Sequence, residues 1–326
     1  QAAVAVAPQD VEARLALGAL LAQGGRLDEA GALYEDGLAL PGGQVALLSA
    51  LGDLDVIRGN YGSAIKSYQQ ALAIDPAYWQ AAYPLGRVYL LQERPNMALQ
   101  VANAIAQRSQ DQYQIPLLQG DAYMALGRTA DALAAYRQAI SLAPAIAFLY
   151  SREGDALLRA GNYSAAQASF EQALRLDARH VDAYTGLGRM HLELALQGEV
   201  DAAGIPQDQT RFSQAQDAFR SALLFAADSI PARIGTGDLL VAYGRPEEAI
   251  PVYQEVLSLD PSQETARSKL FDLYLAAGRS DEVIPFYQAL LEDNPDQADA
   301  VIALAEAYLA TDQPDAAAAA FQNFLR

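Results

Sequence analysis

Apolar and small residues recur along this chain with a period of 34 residues. When the sequence is laid out in blocks from Val11, position 8 is glycine in seven blocks, and position 20 is alanine in eight of nine. Small residues let two helices approach closely, and a large neighbour fills the gap, so each block is predicted to hold two packed helices. Position 24 supplies that large core neighbour in every repeat except the third, which has Ala102: Tyr34, Tyr68, Tyr136, Phe170, Phe219, Tyr253, Tyr287 and Phe321.

The period predicts one array over residues 1–326, because a unit of this length buries its apolar faces only against stacked neighbours. The sixth repeat is longer than the others, and its surplus at 196–210 has the Gly, Pro and polar content of a loop inserted between its two helices. Residues 1–10 fit the end of a preceding repeat or an N-terminal tail. The repeats are 11–44, 45–78, 79–112, 113–146, 147–180, 181–229, 230–263, 264–297 and 298–326.

Glycine and proline also stand at fixed positions of the repeat. Position 15 is glycine in six repeats, which predicts a left-handed residue that ends the first helix. The residues are Gly25, Gly59, Gly127, Gly161, Gly244 and Gly278. Pro95, Pro246 and Pro314 suit the first turn of the second helix, where a missing N–H costs little. Pro76, Pro144, Pro261 and Pro295 then end that helix.

This arrangement resembles the tetratricopeptide repeat family, whose pattern places Gly at position 8, Tyr at 11, Gly at 15, Ala at 20 and Phe or Tyr at 24. The second repeat shows much of it as LSALGDLDVIRGNYGSAIKSYQQALAIDP. The resemblance implies an all-α solenoid of about nine antiparallel helix pairs in a right-handed superhelix. It also implies a concave groove that is lined by the first helix of each pair and binds peptides or protein segments.

The charge of the chain narrows the class of partner. Forty acidic against twenty-two basic residues give a net charge of −18, which disfavours nucleic acid and anionic membrane surfaces. Residues 281–315 carry nine acids and no base, which is typical of a solvated face and less so of a docking site for a basic partner. We therefore expect a protein or peptide partner, possibly with basic residues.

Cysteine is absent, which excludes disulfides, thiolate metal sites and a cysteine nucleophile. No run approaches the roughly 18 apolar residues that span a bilayer, so direct membrane insertion is not expected. Twenty arginines against two lysines, with abundant Ala and Gly, indicate a GC-rich bacterial genome. The start QAAVAVAP fits either a truncated repeat or an end left by signal cleavage. The compartment stays open between cell envelope, which is preferred, and cytoplasm.

Position 9 of the first helix is the main candidate site, because by family resemblance it faces the groove together with positions 2, 5 and 12. We expect its acids to receive a basic or backbone-donating segment. The alternative is that they are solvated or pair with an arginine one repeat away, such as Arg87 with Asp53 or Asp121. The residues after Ala19 are Asp53, Arg87, Asp121, Asp155, Arg189, Asp238, Asp272 and Glu306.

The third repeat departs most from the pattern. It has Trp79, Tyr83 and Arg87 on the groove side, Pro84 inside its first helix, and Ala102 at position 24. Trp, Tyr and Arg are frequent anchors of binding hot spots, so Tyr83 joins Arg87 as a candidate binding residue. Compensatory packing around a degenerate repeat is the other interpretation.

Polar residues also stand at core positions, where each needs a partner or partial exposure. Glu153, at position 7, has Arg152 and Arg159 close in sequence, and Gln119 and Asp55 occupy similar places. His191 falls at position 11 and is predicted to be packed, while His180 lies between repeats, so the two do not form a metal site.

Enzyme motifs are missing as well: there is no Walker-type phosphate loop, GxSxG or HExxH. Position 5 lacks the lysine of the family's chaperone-tail clamp. The sequence therefore predicts no catalysis, no metal and no cofactor.

We predict a non-catalytic scaffold that binds a peptide segment or partner protein in its groove. The alternative is a structural subunit or assembly factor whose contacts run through the 196–210 loop or the array ends. The last helix is predicted to leave Phe321, Phe324 and Leu325 uncovered. Either the array continues beyond Arg326 or a partner makes an end-to-end contact there.

Overall fold

A computed structural model describes residues 10–293, 295 and 297–325, so the predictions for 1–9 and Arg326 lie outside it. Apart from one antiparallel bridge between Val200 and Pro206, the regular structure of this part is helical. The helices are α1 Val11–Gln23, α2 Leu27–Leu38, α3 Gln44–Ile57, α4 Tyr61–Ile74, α5 Trp79–Leu91, α6 Pro95–Ala106, α7 Gln114–Ala125, α8 Thr129–Leu142, α9 Ala147–Arg159, α10 Tyr163–Leu176, α11 Val181–Leu196, α12 Gln209–Phe225, α13 Ile230–Ala242, α14 Pro246–Leu259, α15 Glu264–Ala276, α16 Ser280–Asp293, α17 Ala298–Ala310 and α18 Pro314–Phe324.

The odd-numbered helices are the first helices of the repeats and the even-numbered ones the second. The chain forms two compact units, 1–162 with α1–α9 and 163–326 with α10–α18. Within each unit, consecutive helices pack on one another, so contacts are made between neighbours in sequence. This is the organisation of a repeat array, in which each element is stabilised by the next.

The predicted ends of the first helices are confirmed at position 15. All six glycines there have positive φ, for example +75° at Gly59 and +70° at Gly244. Where glycine is missing, Glu93 and Asp312 adopt the same conformation, with φ of 56° and 59°. A left-handed residue releases the chain from the helix, so two non-glycine residues are held in a conformation that costs L-residues energy.

The aromatic stripe at position 24 is core, as the pattern predicts. Tyr68, Tyr136, Phe170, Phe219, Tyr253 and Tyr287 are among the largest side chains with less than 2% exposure. The position-8 glycines provide the space: a Cβ at Gly52 would lie 2.5 Å from Tyr68 Cε1, and one at Gly237 2.6 Å from Tyr253 Cζ. Phe321 is the exposed member of the stripe, at 41%, and Phe324 and Leu325 beside it are also exposed.

None of the helices in the described ranges combines the length and the apolar character needed to cross a membrane. The proline predictions hold: Pro95, Pro246 and Pro314 open α6, α14 and α18. Pro84 lies inside α5, where the helix continues through it.

Candidate functional site

Three of the position-9 aspartates are bound to the aromatic residue of their own repeat. The hydroxyl of Tyr68 donates to Asp53 Oδ1 at 2.6 Å. The same bond joins Tyr136 to Asp121 at 2.8 Å and Tyr253 to Asp238 at 2.5 Å. Each tyrosine ring is buried, so its hydroxyl needs an acceptor at the first-helix surface. These carboxylates are therefore part of the packing as well as of the surface.

A basic side chain from the following repeat reaches two of these carboxylates. Lys269 Nζ lies 2.5 Å from Asp238 Oδ1, and Arg152 Nε lies 3.7 Å from Asp121 Oδ1. Both bases stand at position 6. The alternative that an acid pairs with an arginine one repeat away thus holds for Asp121, through Arg152, whereas Asp238 pairs with a lysine. Arg87, named for that role, acts on Asp121 only through its charge.

Burial sets the electrostatics of this tyrosine and aspartate pairing. It raises the pKa of Asp121 above its ordinary value, while the Arg152 charge, the Tyr136 hydrogen bond and the Arg87 charge oppose the rise. The same burial and the neighbouring carboxylate raise the pKa of Tyr136 far above the usual range. The phenol therefore stays protonated and remains a donor over the accessible pH range.

Tyr83 and Arg87 form a small cluster on the first-helix face of the first unit. The Arg87 guanidinium lies 6.0 Å from the centre of the Tyr83 ring, at the outer limit of a cation–π contact. Tyr83 is half-buried and Arg87 is exposed. Burial raises the Tyr83 pKa, and the charges of Arg87, Asp121 and Arg152 also act on it. The structure therefore brings four charged or aromatic residues together here.

The remaining predicted site residues are spread over both units. Asp155 is half-buried, whereas Arg189, Asp272 and Glu306 are exposed on α11, α15 and α17. The Arg189 charge lowers the pKa of Glu193, which burial raises. Asp272 and Glu306 are thus carboxylates one repeat apart, on the first helices of the second unit, that solvent and a ligand can reach.

Two cavities open among these first helices. One, here called the Lys269 cavity, has a volume of about 360 Å³ and is lined by Leu192, Leu196, Asp238, Val241, Ala242, Tyr253, Lys269, Asp272 and Leu273. It combines an apolar wall with three charged groups, which is the composition of many ligand pockets. A second, of about 200 Å³, lies between α15, α16 and α17.

The third repeat is repacked around its missing aromatic residue. Ala102 is fully buried, and the space over Gly86 is filled by Leu118 from position 6 of the next repeat. Leu118 therefore replaces the aromatic ring, which is the compensatory packing considered above.

The 196–210 segment is anchored to the following repeat. Its Pro206 is buried, and Ile205 packs on Gly244. The Tyr243 hydroxyl donates to the Asp208 carbonyl at 2.8 Å. These contacts tie the loop to the end of the first helix of repeat seven.

Models of the tetratricopeptide repeat match most of the chain. Two models described as Tetratricopeptide repeat match residues 1–44 and 151–206, and 240–284 and 274–323. A third with that description matches 117–146, and one described as TPR repeat matches 52–92. The chain belongs to the tetratricopeptide repeat family.

Curated tetratricopeptide relatives are much longer than this chain. Human tetratricopeptide repeat protein 21B is 30% identical over 142 residues, which are 43% of this chain and 11% of that protein. The mouse protein of the same name is 29% identical over 127 residues, 39% of this chain and 10% of that protein. The match therefore spans about a tenth of each relative.

Solved tetratricopeptide structures share the fold. A protein from Parabacteroides merdae has a TM-score of 0.56 at 16% identity, covering 81% of this chain and 98% of that one. The human IFIT1 dimer with m7Gppp-AAAA has 0.59 at 13%, covering 95% and 80%. The APC/C hetero-tetramer Cut9–Hcn1 has 0.55 at 16%, covering 92% and 56%. At these identities the likeness shows the fold alone, and the predicted all-α tetratricopeptide solenoid is confirmed.

Tetratricopeptide proteins are generally non-catalytic scaffolds for protein–protein interaction, and this chain has their fold. His191 is packed as predicted: it is buried, and its Nδ1 lies 2.9 Å from an Arg211 nitrogen. Burial and the Arg211 charge lower its pKa, so it is neutral near pH 7. Among the described residues, no group of three acidic or histidine side chains could hold a metal ion.

Glu153 is paired with an arginine other than the predicted Arg152 and Arg159. Arg137 Nε donates to Glu153 Oε1 at 2.9 Å from the second helix of the preceding repeat. Arg159 instead donates to the Met124 carbonyl. Gln119 likewise bonds Asn103 at 2.8 Å. Residues 15 or 16 apart face each other across two helices, and this spacing was the signal available in the sequence.

Proposed function

We propose that this protein binds an extended segment of a partner protein on the first-helix face of its second unit, formed by α11, α13, α15 and α17. The Lys269 cavity carries the proposal, because it is the place where this face combines volume, apolar wall and charge. Its Leu192, Leu196, Val241 and Leu273 would enclose an apolar side chain. Full burial of a leucine-sized side chain contributes about 1.5–3 kcal/mol.

Charge favours basic residues beside that apolar anchor. Asp272 at the cavity and Glu306 one repeat further are exposed carboxylates on this face. Lys269 is already held by Asp238, so it does not neutralise Asp272 in full. Each solvent-exposed ion pair contributes only about 0–1 kcal/mol, so the acids set orientation and specificity more than affinity.

Tyr83 and Arg87 are a second candidate contact, in the first unit. An exposed guanidinium over a half-buried ring offers a planar donor and an aromatic edge to a partner side chain. The other acids and the arginine of position 9 stay candidate binding residues: Asp53, Asp121, Asp155, Asp238 and Arg189. Substitution of Asp53, Asp121 or Asp238 also has a structural cost, because each accepts a hydrogen bond from a buried tyrosine.

A random-sequence peptide library displayed on phage tests the proposal. Selected peptides should contain an apolar residue close to Lys or Arg, and fluorescence anisotropy then measures their affinity for variants of the whole chain. Val241→Glu fills and charges the Lys269 cavity, and it should weaken binding by at least about tenfold. Leu259→Glu is the matched control. Leu259 is also apolar and is 47% exposed, but it lies on the second helix of the same repeat.

The acids are tested by Asp272→Asn with Glu306→Gln. This pair should weaken binding about threefold to tenfold and flatten its dependence on salt. Glu292→Gln, on the second helix α16, should change nothing. If Leu259→Glu weakens binding and Val241→Glu does not, the first-helix face is not the site. If Val200→Asp in the 196–210 loop removes binding, the loop-mediated alternative replaces the proposal.

A further inference from the structure

Tyr287 is the exception among the buried tyrosines of position 24. It is 1% exposed, yet its hydroxyl has no hydrogen-bond partner. In three other repeats the equivalent hydroxyl donates to the aspartate of position 9. Its own repeat has that aspartate, Asp272, but the two side chains are not bonded. A buried donor without an acceptor is costly, and native proteins rarely keep one without a reason.

The sequence cause is at position 8. Tyr68, Tyr136 and Tyr253 lie against glycines, and any Cβ there would collide with the ring. In the eighth repeat this position is Phe271, so the Tyr287 ring cannot pack in the same place as the other tyrosine rings. Its hydroxyl therefore makes no hydrogen bond to Asp272.

Tyr287 lines a cavity of about 200 Å³, here called the Tyr287 slot. The slot is lined by Glu264, Arg267, Ser268, Phe271, Tyr287, Ala303 and Glu306. Position 6 of the next repeat, which supplies Arg152 and Lys269 elsewhere, is Ala303 here. A methyl group replaces a long basic side chain, so the array leaves this volume open.

The slot offers donors and acceptors together. Tyr287 and Arg267 donate, although Arg267 is shared with the Asp299 carbonyl at 3.3 Å. Glu264 and Glu306 accept. A cation in the slot would be repelled by Arg267, and an anion by the two glutamates. A neutral group that accepts and donates at one end satisfies both sides.

We propose that the Tyr287 slot binds the primary carboxamide of a Gln or Asn side chain in the partner segment. The carboxamide oxygen accepts from Tyr287, and its NH₂ donates to Glu306. A backbone amide fits less well, because a trans peptide presents its C=O and N–H on opposite edges. The proposal rests on the proposed function, since it names one side chain of the segment bound on that face.

Small probes test the slot without a known partner. The chain is labelled at tyrosine Cζ with ¹³C, and the Tyr287 signal is identified by its loss in Tyr287→Phe. N-acetylglutamine methylamide should move this signal in a saturable way, about tenfold more tightly than the glutamate and lysine analogues. The Tyr253 signal is the internal control and should stay, because its hydroxyl already donates to Asp238. The proposal is overturned if the lysine or glutamate analogue binds more tightly than the glutamine probe, or if the chemical shift of the Tyr287 signal does not change.

The displayed library separates this proposal from the proposed function. Selection on the native chain should enrich Gln or Asn near the basic residues, and Tyr287→Phe should remove that enrichment while Tyr253→Phe keeps it. Peptides that need Val241 but show no carboxamide preference would overturn the slot and leave the function standing. If the library yields no peptides but the Tyr287 signal still responds to the glutamine probe, the proposed function is overturned and the slot proposal stands.

Discussion

Repeats seven and eight have the same tyrosine at position 24 and treat it differently. Tyr253 lies against Gly237, donates to Asp238, and shares that carboxylate with Lys269 of the next repeat. Tyr287 has Phe271 at position 8 of its repeat, and its hydroxyl has no hydrogen-bond partner. The change from glycine to phenylalanine leaves the hydroxyl without its acceptor, and Ala303 in place of a long basic side chain leaves the slot beside it open. The same buried residue is therefore structural in one repeat and a candidate site in the next.

Repeat six adds a third solution. Phe219 has no hydroxyl, and it lies between Gly188 and Gly235, the second of which is at position 6 of the following repeat. In repeats four and seven the tyrosine is accompanied by an aspartate at position 9 and by a long basic side chain at position 6 of the next repeat, whereas Phe170 and Phe219 lie against a glycine at that position 6. The residues that surround position 24 therefore differ from repeat to repeat.

The largest expected effect is at the phenylalanine. Phe219→Ala removes a fully buried ring and should lower the free energy of unfolding by about 3–5 kcal/mol. Phe321→Ala, at the same repeat position but 41% exposed, should cost less than about 1 kcal/mol. Urea unfolding, with hydrogen exchange to locate the loss, measures both. Equal losses would mean that burial does not distinguish these positions.

The next largest difference in stability is expected between two tyrosine variants. Tyr253→Phe removes a hydrogen bond to a carboxylate and should cost about 1–2 kcal/mol. Tyr287→Phe removes only an unpartnered hydroxyl, so its stability should stay within about 0.5 kcal/mol of the parent or rise. The two variants delete the same atom, and urea unfolding compares them directly. A similar loss for both would show that Tyr287 has an acceptor in solution.

A smaller effect is expected at position 15, away from the aromatic stripe. Glu93→Gly relieves a left-handed φ and should stabilise the first unit by up to about 1 kcal/mol. Gly59→Ala, with φ of +75°, should destabilise it by a similar amount. Hydrogen exchange around the ends of α5 and α3 detects the change. If Glu93→Gly destabilises the repeat, the Glu93 side chain has a contact that outweighs the strain.

The smallest effect concerns Asp121, the counterpart of Asp238 in the first unit. Its pKa is raised, so its contribution to stability is complete below the ordinary pKa and is lost as the pH rises through the folded-state pKa. Arg152→Gln should raise this pKa further, because the Arg152 charge opposes the rise. Carboxyl ¹³C NMR titration measures the value in both proteins, and Asp121→Asn removes the signal. A pKa at or below the ordinary value would contradict the burial argument.

The fold could be predicted from the sequence because its signals are local and periodic. These signals are the repeat period, the position-15 glycines such as Gly244 that end the first helices, and the aromatic stripe at position 24. It placed the acids of position 9 on one face, but it missed that Asp121 and Asp238 hold tyrosine hydroxyls. The signal was present, since each acid is 15 residues before its tyrosine. The Tyr287 slot was beyond prediction, because it depends on how far Phe271 displaces a ring, which no residue pattern encodes.

The packing of Leu118 over Gly86 has a consequence for modular exchange of repeats. Leu118 belongs to repeat four but completes repeat three, where Ala102 is too small. Moving repeat four behind repeat seven would bring Leu118 to the place where Lys269 neutralises Asp238, and repeat three would lose its cover. Recombination or protein design that shuffles whole 34-residue units would break such borders. The exchangeable unit of this array therefore begins at position 7 of one repeat and ends at position 6 of the next.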